Sequence, residues 1–296
     1  MKRYFYIFRR SLWCSVVTVM CVCASFFFAG CDADIYAPAD SQLVVEGWIE
    51  HDGFPVVMVS RTLPLNTRLQ SLDSLSQYIV KWAAVSVTDG IDTVYLTGKY
   101  DAGYFPPYVY TTTRMRGVAG RTYELCVDWQ DYHATAQTVI PSAPAVDSFS
   151  VKRVADSDSL FVVEATITDP AVEKNYYQLY SRVGGSARQY LAAYLGTFND
   201  DVMKRPATVP VYRGHRAGTG QQYIPYFKLG DTVSVKVAHI GADAFRFWSD
   251  YNSVFSESGN VLFAPSHGVR GNMVGAHGYW QGQNARTAYF IIPHRL

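Results

Sequence analysis

Hydrophobic and polar residues alternate with a period of two along much of the chain, as expected for strands that bury one face. In the segment LVVEGWIE, residues 43–50, apolar or small residues occupy every second position. Similar short segments follow at 55–60, 83–89, 92–98, 123–129 and 132–141. Turn pairs such as Asp52-Gly53 separate some of them. The spacing predicts a β-sandwich of immunoglobulin-like or transthyretin-like type over residues 42–140.

The strand pattern is interrupted at Pro141-Ser142-Ala143-Pro144 and then resumes. Pro141 and Pro144 lack backbone N–H groups and have restricted φ, so we assign residues 141–147 to a linker. Strand-like segments resume at 148–154, 160–169, 175–183 and 231–240. Residues 196–222 are predicted to form a long loop and residues 278–293 a final hairpin. The sequence thus predicts a second β-rich domain over 148–296, either a barrel or a sandwich.

One helix is predicted inside this second domain. Ala244, Phe247 or Trp248, Tyr251 and Phe255 recur at helical spacing, and Gly259 follows the segment. We interpret this aromatic stripe as packing against a sheet and not as a ligand-binding surface. The whole fold is therefore expected to be mainly β with one helix.

The N-terminus has the pattern of a targeting segment. Basic residues at positions 2, 3, 9 and 10 precede an uncharged apolar run over 11–28, and small residues follow. The run approaches the length of a membrane-spanning helix, but the small residues and acids after it favour a signal peptide over 1–30.

The end of this run resembles a bacterial lipobox. Phe28-Ala29-Gly30-Cys31 offers small residues for peptidase access and a thiol for thioether lipidation, although leucine is commoner than Phe28 at its position. An ordinary secretory signal with a chance cysteine is the alternative. Several acyl chains on Cys31 would anchor the protein stably, with residues 31–41 as a tether. Asp32 and Asp34 resemble a Bacteroidota surface-export signal, although in enterobacteria an aspartate there favours inner-membrane retention.

Processing at this site changes the charge and leaves few cysteines. Removing four of the 26 basic residues leaves 22 against 25 acidic residues, a net charge of −3. This balance does not suit nucleic acid as a partner. Of the five cysteines only Cys31 and Cys126 would remain, and a lipidated Cys31 cannot pair with Cys126. Stability must therefore come from a hydrophobic core.

Motifs for catalysis, metals and cofactors are absent from the sequence. The seven histidines form no HExxH motif and no close pair with a nearby cysteine, and His267 and His277 are interpreted as loop residues. No phosphate loop or G-x-S-x-G motif occurs. Cys126 lies between Glu124 and Asp128, whose charges should raise its pKa. We expect no enzyme, metal or cofactor, although carboxylate pairs of a hydrolase are set only in three dimensions.

An aromatic cluster is the one suggestive binding signal. Tyr104, Phe105, Tyr108 and Tyr110 surround Pro106-Pro107. Aromatic faces can stack on sugars or anchor a protein interface, but they also fill β-sheet cores. We predict these four residues as ligand-binding candidates, with a peptide or glycan as the ligand.

Several segments in order resemble one family. They are LVVEGWI, AAVSVTDG, YLTGKYDAGYF, VAGRTYELCV, DPAVEKNYYQLY, LGDTVSVKVAHIGADAFRFWSDYN and FAPSHGVRGNMVGAHGYW. With the lipobox they resemble the Bacteroidota lipoproteins grouped as domain of unknown function 4249. That resemblance implies an outer-membrane lipoprotein facing the exterior. Its implied role is a non-enzymatic accessory of a TonB-dependent transporter with a SusD-like partner; the alternatives are an adhesin or structural module and a surface hydrolase.

Overall fold

An eight-stranded sheet takes strands from both halves of the chain. Its order is β12-β11-β15-β16-β1-β2-β6-β5, and we call it the shared sheet. The strands are β1 (Leu43–Glu50), β2 (Val56–Arg61), β5 (Thr97–Tyr100), β6 (Tyr108–Thr111), β11 (Tyr176–Val183), β12 (Leu191–Asn199), β15 (Thr232–Ile240) and β16 (His277–Ile291). The computed structural model describes residues 41–62, 76–168, 174–185, 189–202, 206–214, 223–258 and 268–292.

A four-stranded sheet covers one end of the shared sheet and completes a sandwich. Its order is β4-β3-β7-β8, with β3 (Ala84–Thr88), β4 (Thr93–Tyr95), β7 (Thr122–Trp129) and β8 (Tyr132–Val139). The first core lies between the two sheets and includes Leu43, Ile49, Leu125 and Trp280. Gly47 is required beneath the indole, because a Cβ there would lie 2.9 Å from Trp280 Cε3.

A second four-stranded sheet covers the other end of the same face. It contains β9 (Val146–Arg153), β10 (Leu160–Ile167), β13 (Ala207–Val211) and β14 (Phe227–Lys228). The second core includes Phe161, Leu179, Val235 and Phe227. The prediction of a mainly β protein with one helix is confirmed in the described part of the chain. For the second half the sequence left a barrel or a sandwich open, and the described strands form a sandwich.

Strand β16 joins the two sandwiches, so the predicted hairpin over 278–293 is wrong. Residues 277–283 pair in parallel with β1, and residues 283–291 pair antiparallel with β15. Gly282, which reads as a turn residue, instead permits close packing, since a Cβ there would lie 2.5 Å from Val139 O. The side chain of Asn284 donates to Pro141 O over 3.2 Å.

The predicted loop over 196–222 is also wrong in part. It contains the end of β12 and all of β13, while residues 215–222 lie outside the described part. Strand β13, with the sequence ATVPV, is itself largely apolar and pairs antiparallel with β10, although the wider segment is polar. The segment 92–98 is divided between β4 and β5, which belong to different sheets.

The single helix described, α1 (Ala242–Ser258), was predicted and lies on the opposite face of the shared sheet. Asp243 lies in its first turn, where a negative charge interacts favourably with the helix dipole. None of the described helical residues forms a segment long and apolar enough to cross a membrane.

The predicted linker over 141–147 lies between the residues of the first core and those of the second. It does not divide the shared sheet, which takes strands from both sides of the linker. The first core ends at Ile140, apart from Trp280, and the second begins with residues of β9. Residues Ser41–Leu296 form one compact unit. The division into domains over 42–140 and 148–296 stays a prediction.

Candidate functional site

The face of the shared sheet opposite the two cores bears a cavity of about 510 Å³. Strand alternation sets which residues face it. In β1 the odd-numbered residues enter the first core, so Glu46 and Trp48 face the cavity. In β16 the same alternation directs Tyr279 and Gln281 toward it.

Helix α1 provides an aromatic wall. Phe247 stacks on Tyr279 with ring centroids 4.8 Å apart, and Trp248 meets Tyr180 edge-on at 5.9 Å. The indole Nε1–H of Trp248 also donates to Gln281 Oε1 over 2.7 Å. The predicted packing of the aromatic stripe against a sheet is thus confirmed for these residues, and the same stripe lines a cavity.

A second wall combines segments far apart in sequence. The backbone N–H of Phe105 donates to Gln189 Oε1 over 3.0 Å, and the Gln189 N–H donates to Gly103 O over 3.1 Å. These bonds join the β5–β6 connection to the start of β12. Tyr104 lies 6.3 Å from Trp48 between ring centroids, and Tyr190 lines the neighbouring wall.

Polar side chains on the shared sheet form a connected network beside the cavity. Gln281 Nε2 donates to Tyr180 Oη over 2.9 Å and to Gln283 Oε1 over 2.6 Å. Gln283 Nε2 and Lys236 Nζ both donate to Glu50 Oε2, over 2.7 and 2.5 Å. The Lys236 amine also lies 4.3 Å from the ring centroid of Tyr190. Because its members bond to one another, the network holds its side chains in place before any ligand arrives.

Glu46 differs from this network. No ion pair or hydrogen bond joins its side chain to another described residue. Desolvation by the surrounding protein raises its pKa from 4.5 to about 7. The side chain is nevertheless exposed, because it faces the open cavity and not the interior of a core. The raised pKa and the exposure are compatible because the cavity walls displace much of the bulk water around Glu46, while its side chain remains open to the cavity.

The predicted aromatic cluster is divided between two environments. Tyr104 and Phe105 line the cavity. Tyr110 is buried in the first core, and its Oη donates to Val80 O over 2.8 Å. Tyr108 packs against the same core and donates to Lys81 O over 2.8 Å. Ligand binding by any of the four stays a prediction.

Sequence reasoning missed Glu46, Lys236, Gln281 and Gln283. The available signal was the polar character of alternate positions in β1 and β16. Such residues look solvent-facing when a strand is considered alone. Their place at or beside the cavity can be recognised only when helix α1 is positioned over the sheet, and that position depends on tertiary packing.

A second polar cluster lies on the outer face of β7 and β8. No motif links a histidine to a cysteine in the sequence, but the β7–β8 pairing brings His133 to Cys126, because Asp128 lies opposite His133 and two residues from Cys126 on the same face of β7. His133 Nδ1 lies 2.7 Å from Asp128 Oδ1 and 4.0 Å from Cys126 Sγ. The three side chains could offer nitrogen, oxygen and sulfur to a metal ion.

The thiol in this cluster is poorly suited to binding a metal. Desolvation, followed by the hydrogen bond to Asp128 and the charges of Asp128 and Glu124, raises the pKa of Cys126 to about 11. This confirms the predicted direction. The thiol stays protonated at neutral pH, whereas a metal ligand must be a thiolate.

The residues of two predictions, the lipid site at Cys31 and the acidic export signal at Asp32 and Asp34, lie outside the described part of the chain, as do His267 and the signal peptide. A comparison with curated proteins found no match. The family described as Domain of unknown function (DUF4249) matches residues 31–288. Because this match covers most of the chain, the protein belongs to the DUF4249 family.

Proposed function

We propose that this protein is a ligand-binding lipoprotein of the outer surface, acting as a non-enzymatic accessory of a TonB-dependent uptake system. The observation that carries the binding role is the aromatic cavity on the shared sheet. Its volume of about 510 Å³ falls within the range of small-molecule sites. Its walls are apolar, and a few polar groups converge on it, as in typical binding sites.

The arrangement of the walls supports binding to a preformed site. The connection through Gln189 and Phe105 fixes one wall, and the bond from Trp248 to Gln281 fixes another. Side chains held in this way lose little conformational entropy when a ligand binds. A preformed aromatic site therefore suits capture of a scarce nutrient.

The cellular part of the proposal depends on the N-terminal sequence. Lipidation of Cys31 would anchor the chain to a membrane, and Asp32 and Asp34 would direct it to the outer surface. The TonB-dependent transporter and its SusD-like partner are the proposed protein contacts. A nutrient bound in the cavity would then be held beside the transporter.

A hydrolase is the second candidate, and Glu46 is the observation that favours it. A carboxyl group with a pKa near 7 could act as a general acid. Glycoside hydrolysis needs a second carboxylate, and Glu50 is the nearest on the strand. Glu50 is already bonded to Lys236 and Gln283, and the Cα atoms of positions four apart on a strand lie roughly 13 Å apart. Binding without chemistry is therefore the better-supported proposal.

The proposed partner can be tested by isolating the tagged protein from outer membranes in mild detergent under nutrient limitation. Mass spectrometry should recover a TonB-dependent transporter in stoichiometric amount. Recovery of the protein alone would contradict the uptake proposal, provided that a known transporter complex survives the same detergent. Recovery with adhesion proteins would instead favour the adhesin alternative.

A further inference from the structure

The charges around the cavity do not balance. Lys236 is matched by Glu50 at 2.5 Å, while Glu46 has no cationic partner among the described residues. Because Glu50 pairs with Lys236, an ionised Glu46 is left as the unpaired charge on the described cavity lining. A carboxylate that is partly desolvated by the cavity walls gains from a partner of opposite sign, and here a ligand can provide one.

The rings around Glu46 are suited to the same kind of ligand. Tyr279 is its direct neighbour across β1 and β16, and Trp48 lies two residues further along the same face of β1. The charge of Glu46 adds to the desolvation that raises the pKa values of Tyr180 and Tyr251, so both hydroxyls lie within its field. Aromatic faces attract cations, and partial desolvation strengthens that attraction.

We propose that the cavity binds a small organic cation, with its ammonium or guanidinium group held between the Glu46 carboxylate and the surrounding aromatic rings. This inference rests on the proposed binding function and specifies the class of ligand. A quaternary ammonium, a free amine and a basic peptide side chain share the required chemistry. An apolar body attached to the cation would contact the walls formed by Phe247, Tyr104 and Leu191.

Other ionisable groups near Glu46 do not change this assignment. Burial raises the pKa values of Tyr180 on β11 and Tyr279 on β16, so they remain neutral at physiological pH. Desolvation likewise raises the pKa of Tyr251 on α1. In the first turn of α1, Asp243 and Arg246 are exposed and pair with each other.

Among the described residues, the cations next to these walls are Lys236 and Arg182, and Arg182 lies over the Tyr190 ring, 4.6 Å from its centroid, without lining the cavity. From β15 the facing charge is Lys236, which is paired with Glu50 of β1. Tyr104 from the β5–β6 connection, and Tyr190 and Tyr194 from the start of β12, add only phenol groups. Glu46 is thus the titrating group expected to control binding near neutral pH.

The pH dependence follows from protonation of Glu46. If the ionised form binds the cation, about a tenth of the sites are competent at pH 6 and about nine tenths at pH 8, given a pKa near 7. The apparent affinity should therefore rise roughly tenfold between these values. A neutral ligand that hydrogen-bonds to the protonated acid would show the opposite trend.

The test is a calorimetric titration of the full chain with matched probes. Choline is compared with 3,3-dimethylbutan-1-ol, its neutral isostere, and a lysine-containing tripeptide with its norleucine analogue. The first pair represents free ammonium compounds and the second represents peptides. We expect at least one cation to bind at least tenfold more tightly than its neutral analogue, and more tightly at pH 8 than at pH 6.

Two variants separate the role of Glu46 from general damage. Glu46→Gln should lose both the preference for the cation and its pH dependence. Glu164→Gln, on the outer sheet of the second sandwich, should retain both. Circular dichroism and thermal melting would verify that each variant is folded.

The outcomes distinguish this inference from the proposed function. Equal binding of neutral and cationic probes, or cation preference retained in Glu46→Gln, would overturn the cation site but leave a binding cavity. Absence of binding by every probe would also overturn the cation site. The uptake role is judged separately by isolation of the transporter complex.

Discussion

At the scale of single residues, Glu46 links the electrostatics of the cavity to stability. Its folded-state pKa of about 7 exceeds the ordinary value of 4.5, so the folded protein holds this proton more tightly than the unfolded chain. Its contribution to stability is complete below about pH 4.5 and is lost as pH rises through 7. Retaining an ionised, unpartnered carboxylate near neutral pH therefore costs the ligand-free protein stability.

Replacing this carboxyl should reveal that cost. Glu46→Gln removes the charge but preserves a polar side chain of similar size. The thermal midpoint of the variant minus that of the wild type should be larger at pH 8 than at pH 5, as measured by circular dichroism in both buffers. A difference between variant and wild type that is the same at both pH values would contradict the raised pKa.

Cys126 provides a second residue-level prediction. Its raised pKa should make the thiol slow to alkylate at pH 8, because little thiolate is present. Asp128→Asn removes a negative charge and replaces the carboxylate with a weaker amide acceptor, so alkylation should become faster by several fold. The rate can be followed by mass spectrometry on the peptide that contains Cys126.

Asp131→Asn is the matched control for this substitution. Asp131 lies in the exposed turn between β7 and β8 and has no part in raising the pKa of the thiol. Cys126 in the Asp131→Asn variant should be alkylated at the same rate as in the wild type. Equal acceleration by both substitutions would show that the effect does not come from the contact with Asp128.

At the scale of elements, close packing around β16 sets its tolerance to substitution. Gly282→Ala would place a Cβ 2.5 Å from Val139 O, a backbone atom with little freedom to move. Overpacking of this kind typically costs about 1–3 kcal/mol. Urea unfolding should measure a loss of that size, whereas Gly241→Ala, whose Cβ would meet open space, should change stability far less. Equal losses in the two variants would contradict this account of β16.

The sequence predicted many elements because their burial follows local alternation. β1 was predicted over residues 43–50, as observed, and β7 and β10 were also recognised. The hairpin predicted over 278–293 is wrong because β16 is one continuous strand. Gly282 packs closely against the backbone of Val139, and this long-range contact cannot be recognised from the local sequence pattern.

The candidate site was less predictable than the strands. Tyr104 and Phe105 were found by composition, because aromatic residues clustered beside prolines are conspicuous. Glu46 and Lys236 come together only through the strand order of the shared sheet, in which β16 lies between β1 and β15. That order depends on pairing across more than 200 positions of the chain.

At the scale of the whole molecule, the shared sheet should couple the two sandwiches. Leu125 is buried in the first core and Phe161 in the second. Truncating either residue to alanine typically costs about 2–5 kcal/mol. Each variant should shift one common unfolding transition, observed at the same urea concentration by tryptophan fluorescence and far-ultraviolet circular dichroism. Two transitions, each moved by only one substitution, would instead support independent folding of the predicted domains.

The cavity should also respond to a reduction in its volume. Ala192 lines it at the start of β12, so Ala192→Phe would place a ring inside. This variant should bind choline at least tenfold more weakly in calorimetry. Tyr95→Ala removes an exposed ring outside the cavity and should leave affinity unchanged. Loss of affinity in the second variant alone would place binding elsewhere.

The most direct test of the central claim is a nuclear magnetic resonance titration that observes the indole N–H groups. Trp48 and Trp248 line the cavity, whereas Trp82 is exposed elsewhere and Trp129 packs against the first core. Adding choline at pH 8 should shift the signals of Trp48 and Trp248 in a saturable manner and leave those of Trp82 and Trp129 in place. Saturable shifts confined to Trp82 or Trp129, or no shift at any indole, would contradict the assignment of this cavity as the binding site.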